Sequence, residues 1–243
     1  GRGHLRGDRT LSLEVDRVEV EGRNRRPAWH RGVAHLIDLM GVRRMADRLT
    51  GFDPIQWGRV IQQKEMQSWL ETLPAEELDV LEISGNEWRD ARPWRSHRTE
   101  NFPAFDVCDQ PLSARFDLVI ADQVFEHLAR PYRAAGNVLS MLKPGGRFLI
   151  STPFLVRVHR FPIDCTRWTE EGLRNFLGEA GFPLAGIKTG SWGNRACVKA
   201  NFTRWTSYRS RLHSLHNEPD FPIHVWAMAT CDTTPKTEQE RSS

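Results

Sequence analysis

Between Thr152 and Thr169 the chain gathers Arg157, His159, Asp164, Arg167 and Trp168, an imidazole, a carboxylate and two guanidinium groups within one short run. A histidine exchanges its proton near neutral pH, so His159 is suited to act as a general base toward an amine or a hydroxyl. Asp164 can orient that imidazole, pair with a cationic substrate, or form an ion pair with Arg167 that leaves His159 only packed. A second polar group, Asp122-Gln123 and then Glu126-His127, follows the apolar run Phe116–Ala121. The histidines show no metal-ligand spacing. Cys108, Cys165, Cys197 and Cys231 are too far apart for a zinc pairing or a short disulfide framework, which favours reduced thiols.

These side chains need a scaffold, and beyond Pro74 short apolar runs alternate with amphipathic stretches, the mark of βαβ units and a parallel sheet. Strands are expected at Asp79–Ile83, about Ala104–Val107, Phe116–Ala121, Arg147–Thr152, about Leu184–Gly190 and His224–Thr230, with no clear strand between Trp88 and Phe102. A helix from Pro131 to Leu142 ends at Lys143-Pro144-Gly145-Gly146, where proline and glycine turn the chain. Another begins near Thr169, whose hydroxyl can cap it, with Glu170 and Glu171 in the dipole-favoured first turn. Ligands of such sheets gather at the carboxyl ends of the strands. Both polar groups fall there, as does Ile83-Ser84-Gly85-Asn86, in which Gly85 lets the backbone come close to a ligand.

Toward the amino terminus, Leu11, Leu13, Val15, Val18 and Val20 suggest a short strand or hairpin. Apolar spacing favours helices over Pro27–Leu49, broken near Gly41, and over Pro54–Leu70. We therefore divide the chain into an extension with a helical cap (1–73), a core (74–231) with an insertion at 191–220, and a mobile tail (232–243). In the insertion, Arg204, Trp205, Tyr208, Arg209 and Arg211 interleave charge with aromatic rings, a pattern that can contact nucleic acid but is read as a solvated helix face. Trp29, Trp57 and Trp192 are candidate walls of a substrate pocket.

The succession of the strand Phe116–Ala121, Glu126-His127, the helix from Pro131, the turn Leu142-Lys143-Pro144-Gly145-Gly146 and the strand Arg147–Thr152 resembles the class I S-adenosylmethionine-dependent methyltransferases, over about Leu78 to Phe182. The resemblance implies an α/β fold, a Rossmann-like sheet with helices on both faces and an N-terminal helical extension, and S-adenosylmethionine as cofactor. It implies that Glu82, Ser84 and Gly85 border the methionine part, although only Gly85 of the family's usual loop glycines is present. Glu100 is the candidate for the ribose acid, Asp106 or Asp109 for the adenine amino group, and Asp122 and Gln123 for positions beside the cofactor. His127 becomes a second candidate base, the alternative being a histidine that caps or packs.

The run 152–169 is similar to a subset of these enzymes acting on sugars and natural products. That implies a polar small-molecule acceptor, foremost an aminosugar of the kind methylated by gentamicin-type aminoglycoside N-methyltransferases. Asp122, Glu126, Asp164 and Glu170 are the carboxylates that would draw a cationic acceptor. Transfer from a sulfonium needs alignment and a deprotonated acceptor rather than a metal, so no metal is expected. An RNA or protein methyltransferase, or a non-catalytic descendant with a reduced glycine loop, are the rival readings.

Composition narrows the classes. A formal charge of +3, from 34 basic and 31 acidic residues, gives no strong field for nucleic acid. No apolar run approaches the ~20 residues of a membrane span, and the Arg-rich start lacks the apolar segment of a signal peptide. A cytoplasmic chain without nucleic-acid or membrane partners is expected, its oligomeric state left open.

Overall fold

Side chains alternate across a strand, and in this chain both resulting faces are apolar. Leu81, Ile83, Val119, Ala121, Phe148, Ile150, Val225 and Ala227 pack into one buried cluster, while Val80, Leu118, Ile120, Leu149, Trp226 and Met228 pack into another. A sheet apolar on both faces has to be covered on both.

The computed structural model describes residues 42–232. Its strands are β1 (Phe52–Gln56), β2 (Asp79–Ile83), β3 (Ser96–Glu100), β4 (Phe116–Asp122), β5 (Leu142–Pro153), β6 (Ile187–Trp192), β7 (Ser207–Arg209) and β8 (His224–Thr230). Its helices are α1 (Val42–Thr50), α2 (Arg59–Glu71), α3 (Pro131–Met141), α4 (Glu170–Glu179) and α5 (Arg195–Asn201). Six strands form one sheet in the order β3-β2-β4-β5-β8-β6. The first four run parallel, and β8 is antiparallel to both β5 and β6. α3 and α4 bury Ala134, Ala135, Val138, Leu173, Phe176 and Leu177 on one face, whereas α2 and α5 bury Met66, Trp69, Leu70, Cys197 and Val198 on the other. This is the expected Rossmann-like α/β architecture.

The chain divides into two compact units, Gly1–Asp47 and Arg48–Ser243. The expected N-terminal hairpin, the expected helix as far as residue 41, Trp29, and the tail from residue 233 lie outside the described residues. No helix among the described residues is long and apolar enough to cross a membrane.

Several elements differ from expectation. A strand does lie between Trp88 and Phe102: β3, Ser-His-Arg-Thr-Glu, is an edge strand whose polar side chains hide it from any hydrophobic pattern. Its start is fastened to β2 and β4 by Arg95, whose guanidinium bonds Asp79 and, at 3.2 Å, Asp117, while Lys143 Nζ of β5 stands 2.7 Å from the same two carboxylates. Residues 104–107 form turns instead of a strand, with Phe105 and Val107 buried. The segment expected as a helix from Pro54 begins as β1, which pairs with β7, and becomes helical only at Arg59. Residues 184–186 form a single 3-10 turn before β6.

Candidate active site

β2 and β4 are parallel neighbours with Glu82 opposite Ile120, so the residues that follow, Ser84 and Asp122-Gln123, leave the same edge of the sheet side by side. Both turns are left-handed, with φ of 55° at Ser84 and 60° at Gln123, and no other non-glycine among the described residues has a positive φ. That conformation costs a residue with a Cβ roughly 1–2 kcal/mol and persists only where its surroundings enforce it. Here the neighbouring strands do so. Ser84 N–H donates to the Glu100 carbonyl at 2.8 Å and Gln123 N–H to the Ser151 carbonyl at 3.1 Å. The Gln123 amide also donates to Ser151 Oγ at 2.9 Å. Glu100, paired with Ile83 across β2 and β3, ends its strand at the same edge, its half-buried carboxylate accepting from Arg98 Nε at 2.7 Å.

Beneath this rim lies a buried polar layer. Glu82 accepts the backbone N–H groups of Glu87 at 2.8 Å and Trp88 at 3.2 Å, and its other neighbour is His97 Nε2 at 2.9 Å. Burial pushes the Glu82 carboxyl above its ordinary range, although those two N–H groups and His97 pull the other way. Glu82 thus shapes the loop from below. Gly85 makes room for it, because a Cβ there would stand 2.7 Å from Glu82 Oε1.

Asp122 is likewise an organiser. Its carboxylate accepts from Arg59, from Gln62 Nε2 at 2.9 Å, from Trp88 Nε1 at 3.2 Å and from Ser151 Oγ. The Trp88 bond ties the loop after β2 to the end of β4, and Arg59 and Gln62 bring the first turn of α2 into the same network. Arg59, Gln62, Trp88 and Ser151 were not singled out in the sequence, since no spacing rule connects a helix before the core with the end of β4.

Beyond Gln123 a 3-10 turn, Phe125–His127, brings a second group together. One ligand atom from each of Glu126, His127 and His159 lies within 4.8 Å of the other two. The His159 ring meets that of His127 edge-on at 4.9 Å and that of Trp205 at 5.5 Å. His127 Nδ1 donates to the Ile163 carbonyl, and its Nε2 stands 3.6 Å from Glu126 Oε1, too long for a hydrogen bond. Glu126 is fully buried, its carboxyl oxygens have no hydrogen-bond partner beyond its own backbone N–H, and burial lifts its pKa to about 8. His159 Nε2 is also buried without a partner, and burial followed by the charge of His127 lowers its pKa. His224, fully buried near these groups, is driven down to about 3 by burial and then by Arg59, His159 and Arg167.

Asp164 does not orient the His159 imidazole. It accepts the His159 backbone N–H at 2.8 Å and takes a two-point bond from Arg167, so it fixes the loop's main chain. The loop is tied to the turn by Cys165 N–H, which donates to the Glu126 carbonyl at 2.7 Å. Asp106 accepts the N–H of Cys108 at 2.7 Å, and the exposed Asp109 pairs with Arg130 at 2.6 Å.

The basic stretch 204–211 is not a helix face. Arg209, on β7, stacks over Phe52 with 4.9 Å to the ring centre, and Arg211 donates to the Leu49 carbonyl at 3.0 Å. Trp57 and Trp192 are buried anchors rather than exposed walls. Trp57 stacks on His213 at 4.1 Å, while the two indole N–H groups donate to Ser214 at 3.0 Å and Leu215 at 3.1 Å.

A family model described as a methyltransferase domain matches residues 32–186. No curated protein sequence matches the chain. Among solved structures, a chain from the complex of the Haloferax volcanii Trm112 methyltransferase activator with a methyltransferase is 15% identical, with a TM-score of 0.49 over 83% of this chain and 98% of that one. An S-adenosylmethionine-dependent methyltransferase from Mesorhizobium loti is 17% identical, with a TM-score of 0.43 over 68% of this chain and 97% of its own. Phosphoethanolamine N-methyltransferase 2 from Haemonchus contortus, in complex with S-adenosylmethionine, is 13% identical, with a TM-score of 0.44 over 63% of this chain and 48% of its own.

Proposed function

Because the chain belongs to the methyltransferase domain family, with S-adenosylmethionine as methyl donor, we propose that it methylates an oxygen or nitrogen of a polar small molecule at the carboxyl edge of its sheet. The observation that carries this reading is the pair of enforced left-handed residues, Ser84 and Gln123, at adjacent strand ends. Ligand clefts of open α/β sheets lie at such an edge, and strained backbone gathers where a ligand is held.

The residues at this edge fit the cofactor. Exposed Ser84 and the bare Cα of Gly85 would receive its methionine part, and Glu100 would accept from the ribose hydroxyls. Asp106 or Asp109, on the loop after β3, would meet the adenine amino group. Gln123 would stand beside the cofactor, with Asp122 holding the rim from below. When bound, S-adenosylmethionine supplies an electrophilic methyl carbon on its sulfonium.

The chain's own task is to align the acceptor and relieve it of a proton. Glu126, His127 and His159 stand immediately beyond Gln123 and form the group that does so. Burial lowers the His159 pKa and so favours the neutral imidazole that this work requires. The acceptor's chemistry is bounded by what surrounds the group. Asp122 is saturated, Asp164 is paired with Arg167, Glu170 is bound by Thr189 at 2.8 Å and Ser191 at 2.7 Å, and Glu126 is held neutral by burial. No free carboxylate among the four waits for an ammonium group, so a hydroxyl is favoured over a protonated amine. The resemblance of the run 152–169 to enzymes acting on sugars supplies the acceptor class we place first, an aminosugar, methylated at a hydroxyl rather than at an ammonium group.

The test is incubation with methyl-labelled S-adenosylmethionine and a panel of aminoglycosides, neutral sugars and phenols. Label in a hydroxyl-bearing acceptor is the expected result, and label in none of them would remove the acceptor assignment.

A further inference from the structure

The Glu126–His127–His159 cluster has a property that proton transfer alone does not explain. A buried carboxyl group normally finds hydrogen-bond partners, and leaving one without any costs several kcal/mol as a rough figure. Apart from its own backbone N–H, Glu126 has none at either oxygen, and His159 Nε2, in the same cluster, has none at all. His127 is arranged differently. Its Nδ1–H is spent on the Ile163 carbonyl, which leaves the lone pair on Nε2, the nitrogen that faces Glu126.

A cation resolves all three observations at once. A metal-bound histidine characteristically donates its other ring N–H to a backbone carbonyl, which fixes the ring and makes the ligating nitrogen more basic. We propose that Glu126, His127 and His159 form a binding site for a divalent transition-metal ion, with two imidazole nitrogens and one carboxylate oxygen as its protein ligands. The three donors already lie within 4.8 Å of one another, close enough to surround one ion with small side-chain movements. Two nitrogens and one oxygen suit zinc, manganese, iron or cobalt, whereas calcium and magnesium prefer all-oxygen surroundings.

Three protein ligands leave coordination positions open, as catalytic metal sites require. An acceptor oxygen occupying one of them would be polarised and its proton made more acidic. That last role rests on the methyl-transfer reading, and the ion site does not. With the ion present, His159 is a ligand and not the free base that its sequence suggested. The cluster escapes a spacing rule because Glu126-His127 and His159 come from different loops, brought together by the bond of Cys165 N–H to the Glu126 carbonyl.

The full chain, stripped with a chelator and titrated with Co2+, tests the proposal. One Co2+ per chain with a visible d–d absorption band, displaced by Zn2+, is expected. Glu126→Gln and His159→Asn should each weaken the binding at least about tenfold while retaining the metal-free circular dichroism spectrum of the parent chain. No saturable binding of Co2+, Mn2+ or Zn2+ by the unaltered chain would overturn the proposal, as would Co2+ binding undiminished in both variants. Titration with S-adenosylhomocysteine in the presence of chelator reports separately on the cofactor cleft, and heat there without any metal binding would refute the ion site alone.

Discussion

Gly85 shows how a single position can govern the rim at the carboxyl ends of the strands without touching the chemistry. A Cβ at Gly85 would stand 2.7 Å from Glu82 Oε1, and that carboxylate cannot retreat because it also receives the N–H groups of Glu87 and Trp88 and faces His97. Gly85→Ala should therefore displace the loop at a cost of about 1–3 kcal/mol and weaken S-adenosylhomocysteine binding at least about tenfold. Thermal melting and calorimetry on the same preparation check both effects, and unaltered affinity would mean that the loop does not meet the cofactor. Gly85 and Glu82 were legible in the sequence because they sit where a strand meets its loop. The task of Glu82 was not, since the partners of a buried carboxylate depend on how the loop folds back over it. Asp164 makes the same point: the sequence left open whether it orients His159 or pairs with Arg167, and the fold gives it the Arg167 guanidinium and the His159 backbone N–H.

At the scale of elements, the apolar strands β2, β4, β5 and β8 were readable because burial on both faces demands apolar residues. β3 was not, because an edge strand with Arg95 and Asp79 at its foot is held by polar bonds. The Asp79 carboxyl is kept well below its usual range, first by the Arg95 bond and then by Lys143 and Ser96. β8 carries a different electrostatic signature. His224 is fully buried with its pKa lowered from 6.5 to about 3, so the folded chain keeps it neutral while the unfolded chain protonates it as the pH falls. The unfolded state then binds more protons, and stability is lost as the pH drops from 6.5 toward 3. His224→Gln should make that decline shallower. Denaturant midpoints measured across this range check it, and an unchanged slope would show that His224 is not the group responsible.

For the molecule as a whole, the insertion at 191–220 is drawn against the region before the core by the β1–β7 pair and by Trp57, which stacks on His213 and bonds the Ser214 carbonyl. Trp57→Ala should cost about 3–5 kcal/mol and speed proteolytic cleavage within the insertion relative to cleavage in the sheet. Equal acceleration of cleavage everywhere would show that Trp57 supports the whole fold and not the insertion in particular. The pairing of β1 with β7 was invisible in the sequence because Pro54 and the exposed Phe52 and Asp53 mark no strand, and long-range pairing leaves no local trace.

If the edge where β2, β3 and β4 end holds the cofactor, calorimetric titration with S-adenosylhomocysteine will detect it. One saturable site per chain is expected, weakened at least about tenfold by Glu100→Ala, which removes the carboxylate proposed to accept from the ribose hydroxyls. A chain that is folded and yet releases no heat, or that binds equally well without Glu100, would contradict that placement.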